Sequence, residues 1–285
     1  MAHCLRRPLF SAVGLSPSFS RRCFSQLPAL HAGPQAPQPS RPRQQADRSI
    51  KVLSKGMQAV PSDIGLLDKT FITPTGSNRT PLFQRPLAHL KYQWKRFAFR
   101  FRDRFSLIIL WFSSPKEKNW YRRSVKLSRS TLTPTAVALH RQMYNSFAEG
   151  DVVALRKICA DGLYDSFRAR IGNRPRGEKV DWELVDYNKR SRLISNRAAR
   201  LPIEGAAVIQ AVVRIASRQK LTRWVKGRSG SMEVVPGSGK AKDVVEYVVL
   251  QRQYEGWREG EWQVWGTTQE TTLDDVEEWE RKALA

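Results

Sequence analysis

Residues 206–268 constrain the fold most, because they read as three long antiparallel strands. In residues 206–225, Ile209, Ala211, Val213 and Ile215 share one face, with Gln210 and Arg214 on the other. Residues 244–254 are rich in β-branched side chains (Val244, Val245, Val248, Val249) and carry Tyr247 and Tyr254. Residues 261–268 bring Trp262, Val264 and Trp265, and Gly256-Trp257-Arg258-Glu259-Gly260 supplies a tight connection to them. The glycine-rich stretch from Gly227 to Lys240 reads as a polar, mobile loop. A sheet with an apolar face must be covered, so the elements on either side of it have that task.

The expected cover comes from helices. Thr133-Pro134 reads as an N-cap followed by a first-turn proline, with Val137, His140, Tyr144 and Phe147 on one face and Glu149-Gly150 as the stop. Asp151 caps a second helix carrying Val152, Leu155, Ile158 and Cys159. Asp161-Gly162 breaks it, and Leu163, Tyr164, Phe167 and Ile171 suggest a third. Residues 180–187 read as the first strand, with residues 192–194 as its extension. Thr271/Thr272 with Asp274 and Asp275 start a closing helix that places Leu273, Val276 and Trp279 on its apolar side. Helices, then a long antiparallel sheet, then a helix, make an α+β domain over residues 131–285.

Charge divides the chain. Residues 1–130 hold 24 Lys/Arg against 5 Asp/Glu, and residues 131–285 hold 25 against 21. The net charge of +23 therefore sits almost wholly in the first part, which points to nucleic acid or an anionic membrane as its partner. The first acid is Asp47. Arg6, Arg7, Arg21 and Arg22 alternate with serines and with Leu5, Leu9, Phe10 and Phe19, the composition of a mitochondrial transit peptide over residues 1–24, with Arg22-Cys23-Phe24-Ser25 as its processing site. A plain disordered basic tail is the alternative. Residues 25–85 read as a linker: Pro, Gln, Ala and Arg dominate 31–43, and 44–80 read as extended and dependent on a partner.

Residues 86–130 are the second informative region. Leu87, Leu90, Trp94, Phe97, Phe101, Phe105, Ile108 and Phe112 recur at spacings of three and four, which places them on one helical stripe between Pro86 and Pro115. Lys91, Lys95, Arg96, Arg100, Arg102 and Arg104 flank it, and Trp94 and Trp111 add indoles. The uninterrupted apolar run, 105–112, is far short of the ~20 residues of a membrane-spanning helix. Three partners suit such a helix: the headgroup region of an anionic membrane, ribosomal RNA, or the chain's own sheet. Arg122 and Arg123 continue the positive field. The candidate membrane- or rRNA-binding residues are thus Lys91, Trp94, Lys95, Arg96, Arg100, Arg102, Arg104, Trp111, Arg122 and Arg123.

Catalytic, cofactor and metal sites are not expected. Cys4, Cys23 and Cys159 have neither metal-ligand spacing nor a disulfide pattern, and no His/Cys/Asp cluster has zinc spacing. Gly239-Lys240 fails as a phosphate loop because Val234 and Ala241 stand where Gly and Ser/Thr are needed. His140 reads as a packing residue, and Asp161 and Asp165 as a solvated pair.

A family resemblance accompanies these readings. Tyr144-Asn145-Ser146-Phe147-Ala148-Glu149-Gly150-Asp151, Leu155 to Cys159, Gly162-Leu163, Phe167 and Trp182 resemble the opening of the Tim-forty-four-like domain. Tyr247 to Arg252 and Trp262 to Gly266 resemble its second half. The branch it resembles comprises the fungal membrane-associated mitoribosome receptor (Mba-one type) and the mitochondrial large-subunit ribosomal protein L-forty-five. The resemblance covers residues 85–285. It implies helices packed on a curved antiparallel sheet, a cystatin/NTF2-like cone, and a non-catalytic protein of the mitochondrial matrix, peripheral on the inner membrane. The implied partners are the large ribosomal subunit (rRNA and proteins), anionic inner-membrane lipids and the membrane insertase, with no cofactor and no small-molecule substrate. An import-motor anchor and an NTF2-like pocket enzyme are the alternative functions.

Overall fold

The computed structural model describes residues 63–75, 86–117, 123–227 and 231–284. The transit-peptide and early linker readings, and Arg122, lie outside the described residues. The elements run α1 (Pro86–Ser113), α2 (Leu132–Glu149), α3 (Val152–Ile158), α4 (Asp161–Gly172), β1 (Lys179–Arg200), β2 (Ala207–Lys226), β3 (Met232–Val234), β4 (Ala241–Glu255), β5 (Arg258–Glu259), β6 (Gln263–Thr268) and α5 (Leu273–Leu284). This is the expected α+β architecture, with a curved, unclosed antiparallel sheet.

β2 is the axis of the sheet, antiparallel to β1 on one side and to β4 on the other. β1 pairs along nearly its whole length but shifts register four times between Leu184 and Ser195, and such bulges bend a strand. Residues 192–194 therefore belong to one long bent strand. β4 turns at Gly256-Trp257, both in the left-handed region (φ 54 and 62), the two-residue turn whose twist matches its strands. Gly205, at φ 70 between β1 and β2, lies against that turn: a Cβ there would come within 2.8 Å of the Gly256 Cα. Its carbonyl accepts from the Trp257 N–H at 2.9 Å, tying the two turns together.

Both faces of β2 are buried over residues 207–217, which the run of β-branched and small residues there permits. On one face Ala211, Val213 and Ile215 join Val248, Leu250 and Val264 against Leu132, Ala136, Met143, Leu155, Ile158 and Phe167 of the helices. Full burial of the Val, Leu, Ile, Met and Phe side chains among these contributes about 1.5–3 kcal/mol each. The opposite face was expected to carry Gln210 and Arg214 outward. Instead, residues 63–75 lie across it. Ile72 packs with Val212, Tyr247 and Val249. Gln210 accepts from the Leu67 N–H (2.8 Å) and donates to the Gly65 carbonyl (2.6 Å), replacing two backbone hydrogen bonds that a strap without a strand partner lacks. Thr271 and Ile72 exchange two more, at 2.9 and 3.0 Å. Residues 63–75, within the stretch expected to be extended and dependent on a partner, form neither helix nor strand and lie on the chain's own sheet.

Three local expectations are corrected. α2 begins at Leu132, one residue before the expected Thr133 cap, because Pro134 lacks an N–H and fits anywhere in a first turn. Asp161 opens α4 rather than ending α3; the break falls at Cys159–Ala160, where the Ala160 N–H donates to the Val264 carbonyl at 2.9 Å. The loop from Gly227 to Lys240 contains β3, which pairs Met232, Glu233 and Val234 with Lys226, Val225 and Trp224. The caps at Asp151 and Thr272 are as read. Asp151 accepts from Val153 and Ala154, and Thr272 and Asp275 bond each other's backbone in a capping box.

Candidate interaction surface

Helix α1 crosses the outer edge of β1, and its seam is polar as well as apolar. Leu110 packs with Ala198, Ala207, Ile209 and Tyr254 near one end. Tyr92 and Phe99 meet Phe71 of the strap and Val276 and Trp279 of α5 near the other. Between them, Ser106 Oγ accepts from the edge N–H of Ala198 at 3.1 Å, closing a donor that an edge strand leaves open. Asp103, the one acid of α1, is buried there. Ser195 Oγ donates to it at 2.7 Å and Arg197 Nε approaches to 3.2 Å. Burial pushes the Asp103 carboxyl above its usual range despite both partners, and pushes the Arg197 guanidinium down to about 10.

The apolar stripe lies opposite this seam. At about 100° per residue, Leu87, Leu90, Trp94, Phe97, Phe101, Phe105, Ile108 and Phe112 fall on the far side from Tyr92, Phe99, Asp103, Ser106 and Leu110. All eight are exposed, from 46 % for Ile108 to 81 % for Leu87, along roughly 38 Å of helix. The chain's own sheet is thus excluded as the partner of the stripe. Isolated surface hydrophobics need no explanation, but a continuous line of this length makes the outer face of α1 the candidate interaction face.

The basic flanks differ from one another. On one, Lys91 pairs with Glu277 at 3.5 Å and Lys95 with Glu280, both on α5. Arg102 on this flank donates to the Lys69 carbonyl and lies 4.7 Å over the Phe99 ring. These three bind the helix to its own domain. On the other flank stand Arg96, Arg100 and Arg104. Burial lowers the Arg100 guanidinium, and the charges of Arg96, Arg104 and Arg129 lower it further. Among the described residues no carboxylate pairs with Arg100, Arg104 or Arg129. Arg123 reaches back to the Phe112 and Ser114 carbonyls at 2.8 and 2.7 Å and lies 5.4 Å over Trp111, so it caps the end of α1. Of the predicted residues, Trp94, Arg100 and Arg104 stand open, Arg96 and Trp111 are half-buried, and Lys91, Lys95, Arg102 and Arg123 hold the helix in place.

Two features were not read from the sequence. The first is a shallow depression of about 540 Å³ where the start of α2 meets β1, lined by Arg129, Ser130, Thr133, Arg190 and Ser191. Only the proximity of two chain segments 60 residues apart assembles it. The second is a buried polar cluster under α2. Glu246 accepts from Tyr144, from Gln219 at 2.8 Å, and lies 2.8 Å from His140 Nε2; Trp182 Nε1 donates to Gln219 at 3.0 Å. Burial alone would push the Glu246 carboxyl up. The hydrogen bond and charge of His140, with the Tyr144 and Gln219 bonds, outweigh it and hold the carboxyl below its usual range. A carboxylate enclosed by three side-chain partners anchors α2 to the sheet. Burial pushes the Cys159 thiol up to about 12, which leaves it un-ionised and unreactive near neutral pH. Among the described residues no group of three or more His, Cys, Asp or Glu side chains could hold a metal ion, and no helix is long and apolar enough to cross a membrane.

A family model described as MBA1-like protein matches residues 67–282, from the strap through α1 and the sheet to α5. The chain belongs to the MBA1-like family. Membership associates it with mitochondrial ribosome-linked function at the inner membrane, in a family of ribosome-receptor type that is not a known enzyme family. No curated protein matches the chain. Among solved structures, the intermembrane space region of the chloroplast protein ARC6 aligns over 50 % of this chain and 97 % of its own, at 9 % identity and a TM-score of 0.31. A likeness that slight carries no weight for this chain.

Proposed function

We propose that this MBA1-like protein is a non-catalytic adaptor that holds the large mitochondrial ribosomal subunit against the matrix face of the inner membrane. There it aids insertion of newly made proteins near the exit tunnel. The observation that carries the reading is the outward stripe of α1. A helix whose long apolar face points away from its own core, with arginines along one flank, suits the headgroup region of an anionic bilayer. In this reading Trp94, Phe97, Phe101 and Phe105 enter the acyl boundary, and Arg96, Arg100 and Arg104 meet lipid phosphates. Lys91, Lys95, Arg102, Asp103 and Arg123 keep the helix fixed on the domain, so the ribosome-bound body and the membrane move as one. The polycationic residues before α1 supply contacts to ribosomal RNA once the first 24 residues have directed import.

The test replaces Trp94, Phe97, Phe101 and Phe105 together by Ser in the full chain. Flotation with vesicles containing cardiolipin should fall roughly tenfold or more. The urea midpoint and salt-sensitive sedimentation with large subunits should stay as in the wild type. Undiminished flotation would sink the membrane assignment of α1, and loss of sedimentation alone would reassign the stripe to the ribosome.

A further inference from the structure

The geometry points to a discrete site for the phosphate of an anionic lipid headgroup in the depression between the start of α2 and β1, held by Arg129 and Arg190 with the hydroxyls of Ser130, Thr133 and Ser191. This rests on the reading of α1 as membrane-facing and adds to it a second contact on a different part of the chain. Two guanidiniums and three hydroxyls line one cavity, and among the described residues no carboxylate pairs with either arginine. Beside the apolar Pro134 and Leu193, the lining offers two guanidiniums that only donate and three hydroxyls that can turn to donate, which suits a phosphate. The start of α2 adds to it. The Thr131 hydroxyl turns to Ser128, at 3.1 Å, instead of capping the helix, and the first turn of α2 carries no acid. At about 540 Å³ the space falls within the range of small-molecule clefts and admits a phosphodiester headgroup.

Position selects lipid over nucleic acid. Arg129 lies close enough to Arg100 for their charges to repel, so the depression continues the row Arg96, Arg100 and Arg104 that borders the apolar stripe. A lipid meets both surfaces at once, with phosphate at the arginines and acyl chain toward the stripe. A nucleic-acid backbone would match the arginines and leave eight exposed hydrophobic side chains in water.

The experiment compares the full-length wild type with R129Q/R190Q and with R168Q/R176Q, which removes the same charge from exposed positions on and just after α4. Flotation uses vesicles of phosphatidylcholine with and without phosphatidylglycerol. A second readout is the melting temperature in the presence of short-chain phosphatidylglycerol below its micelle concentration. The R129Q/R190Q protein should bind phosphatidylglycerol vesicles roughly tenfold more weakly. It should also lose the rise in melting temperature that the soluble lipid gives the wild type, and R168Q/R176Q should keep that rise. Equal weakening in both variants would mean a diffuse field and overturn the site. So would weakened binding of an rRNA fragment with vesicle binding intact. If the wild type floats with neither vesicle, the membrane reading of α1 falls by itself; the soluble-lipid shift then decides the site, and its absence overturns it.

Discussion

Helices α1 and α2 are both amphipathic, and they use the same pattern in opposite directions. α2 turns Leu132, Ala136 and Met143 into the main core, with Val137, Tyr144 and Phe147 packed at its margin. α1 turns Tyr92, Asp103 and Leu110 inward and leaves its Leu, Trp and Phe stripe in solvent. The difference lies in what each meets. α2 faces the open face of a sheet, which rewards a broad apolar stripe. α1 crosses the edge of β1, where unpaired backbone donors and the half-buried Arg197 favour Asp103 and Ser106 in the seam. Amphipathicity therefore records that a helix has a partner, and the surroundings decide which face receives the protein.

The sharpest way to break this comparison is a matched truncation. Met143→Ala should cost about 2–5 kcal/mol of unfolding free energy, because Met143 is 2 % exposed and a cavity would remain. Phe101→Ala removes more atoms yet should change stability by no more than about 0.5 kcal/mol, since the side chain is 64 % exposed. Urea denaturation of both proteins reads the contrast; a large loss for Phe101→Ala would mean the stripe is structural.

Two carboxylates, Asp103 buried and Glu246 half-buried, sharpen the comparison by pH. Glu246, beneath α2, has its carboxyl held below the usual value of 4.5, so its stabilisation is present above that pH and lost as pH falls through the lowered value. Asp103, beneath α1, is raised above 3.8 by burial. The stability linked to its proton is present below 3.8 and lost as pH rises through the raised value. The stability gap between wild type and Glu246→Gln, on the order of 2 kcal/mol near pH 7, should narrow on acidification. The gap between wild type and Asp103→Asn should move the other way. Denaturation at several pH values between neutral and acid checks both, and parallel trends would refute the contrast.

The smallest effect belongs to the tie between α1 and α5. Lys91→Gln and Lys95→Gln together should cost less than about 1 kcal/mol and reduce the salt dependence of stability, because both ion pairs are partly exposed and screened. Melting curves at low and high salt test this; a cost that persists unchanged at high salt would mean that the lysine stems, not the charges, hold the helix.

Much of the fold was legible in local sequence. Alternation in Ile209, Ala211, Val213 and Ile215 marked a strand, though not the burial of its second face, and Asp151, Gly150 and the Thr272–Asp275 box marked helix ends, since these signals act over one turn or one pleat. The strap was harder to read. Phe71 and Ile72 show no period because Phe71 packs on α1 and α5 while Ile72 packs on the sheet, and Gln210 looks like a surface residue until the strap covers it.

By itself, the sequence determined the α+β order of elements, the existence of one apolar stripe on α1, the basic residues beside it and the concentration of positive charge in the first half. These follow from composition and short-range spacing. The tertiary structure decided which way that stripe faces, which lysines and arginines are spent on α5, the strap and the helix end, and that Arg129 and Arg190 share one depression. Each of these depends on contacts between residues far apart in the chain, and no local period carries that information.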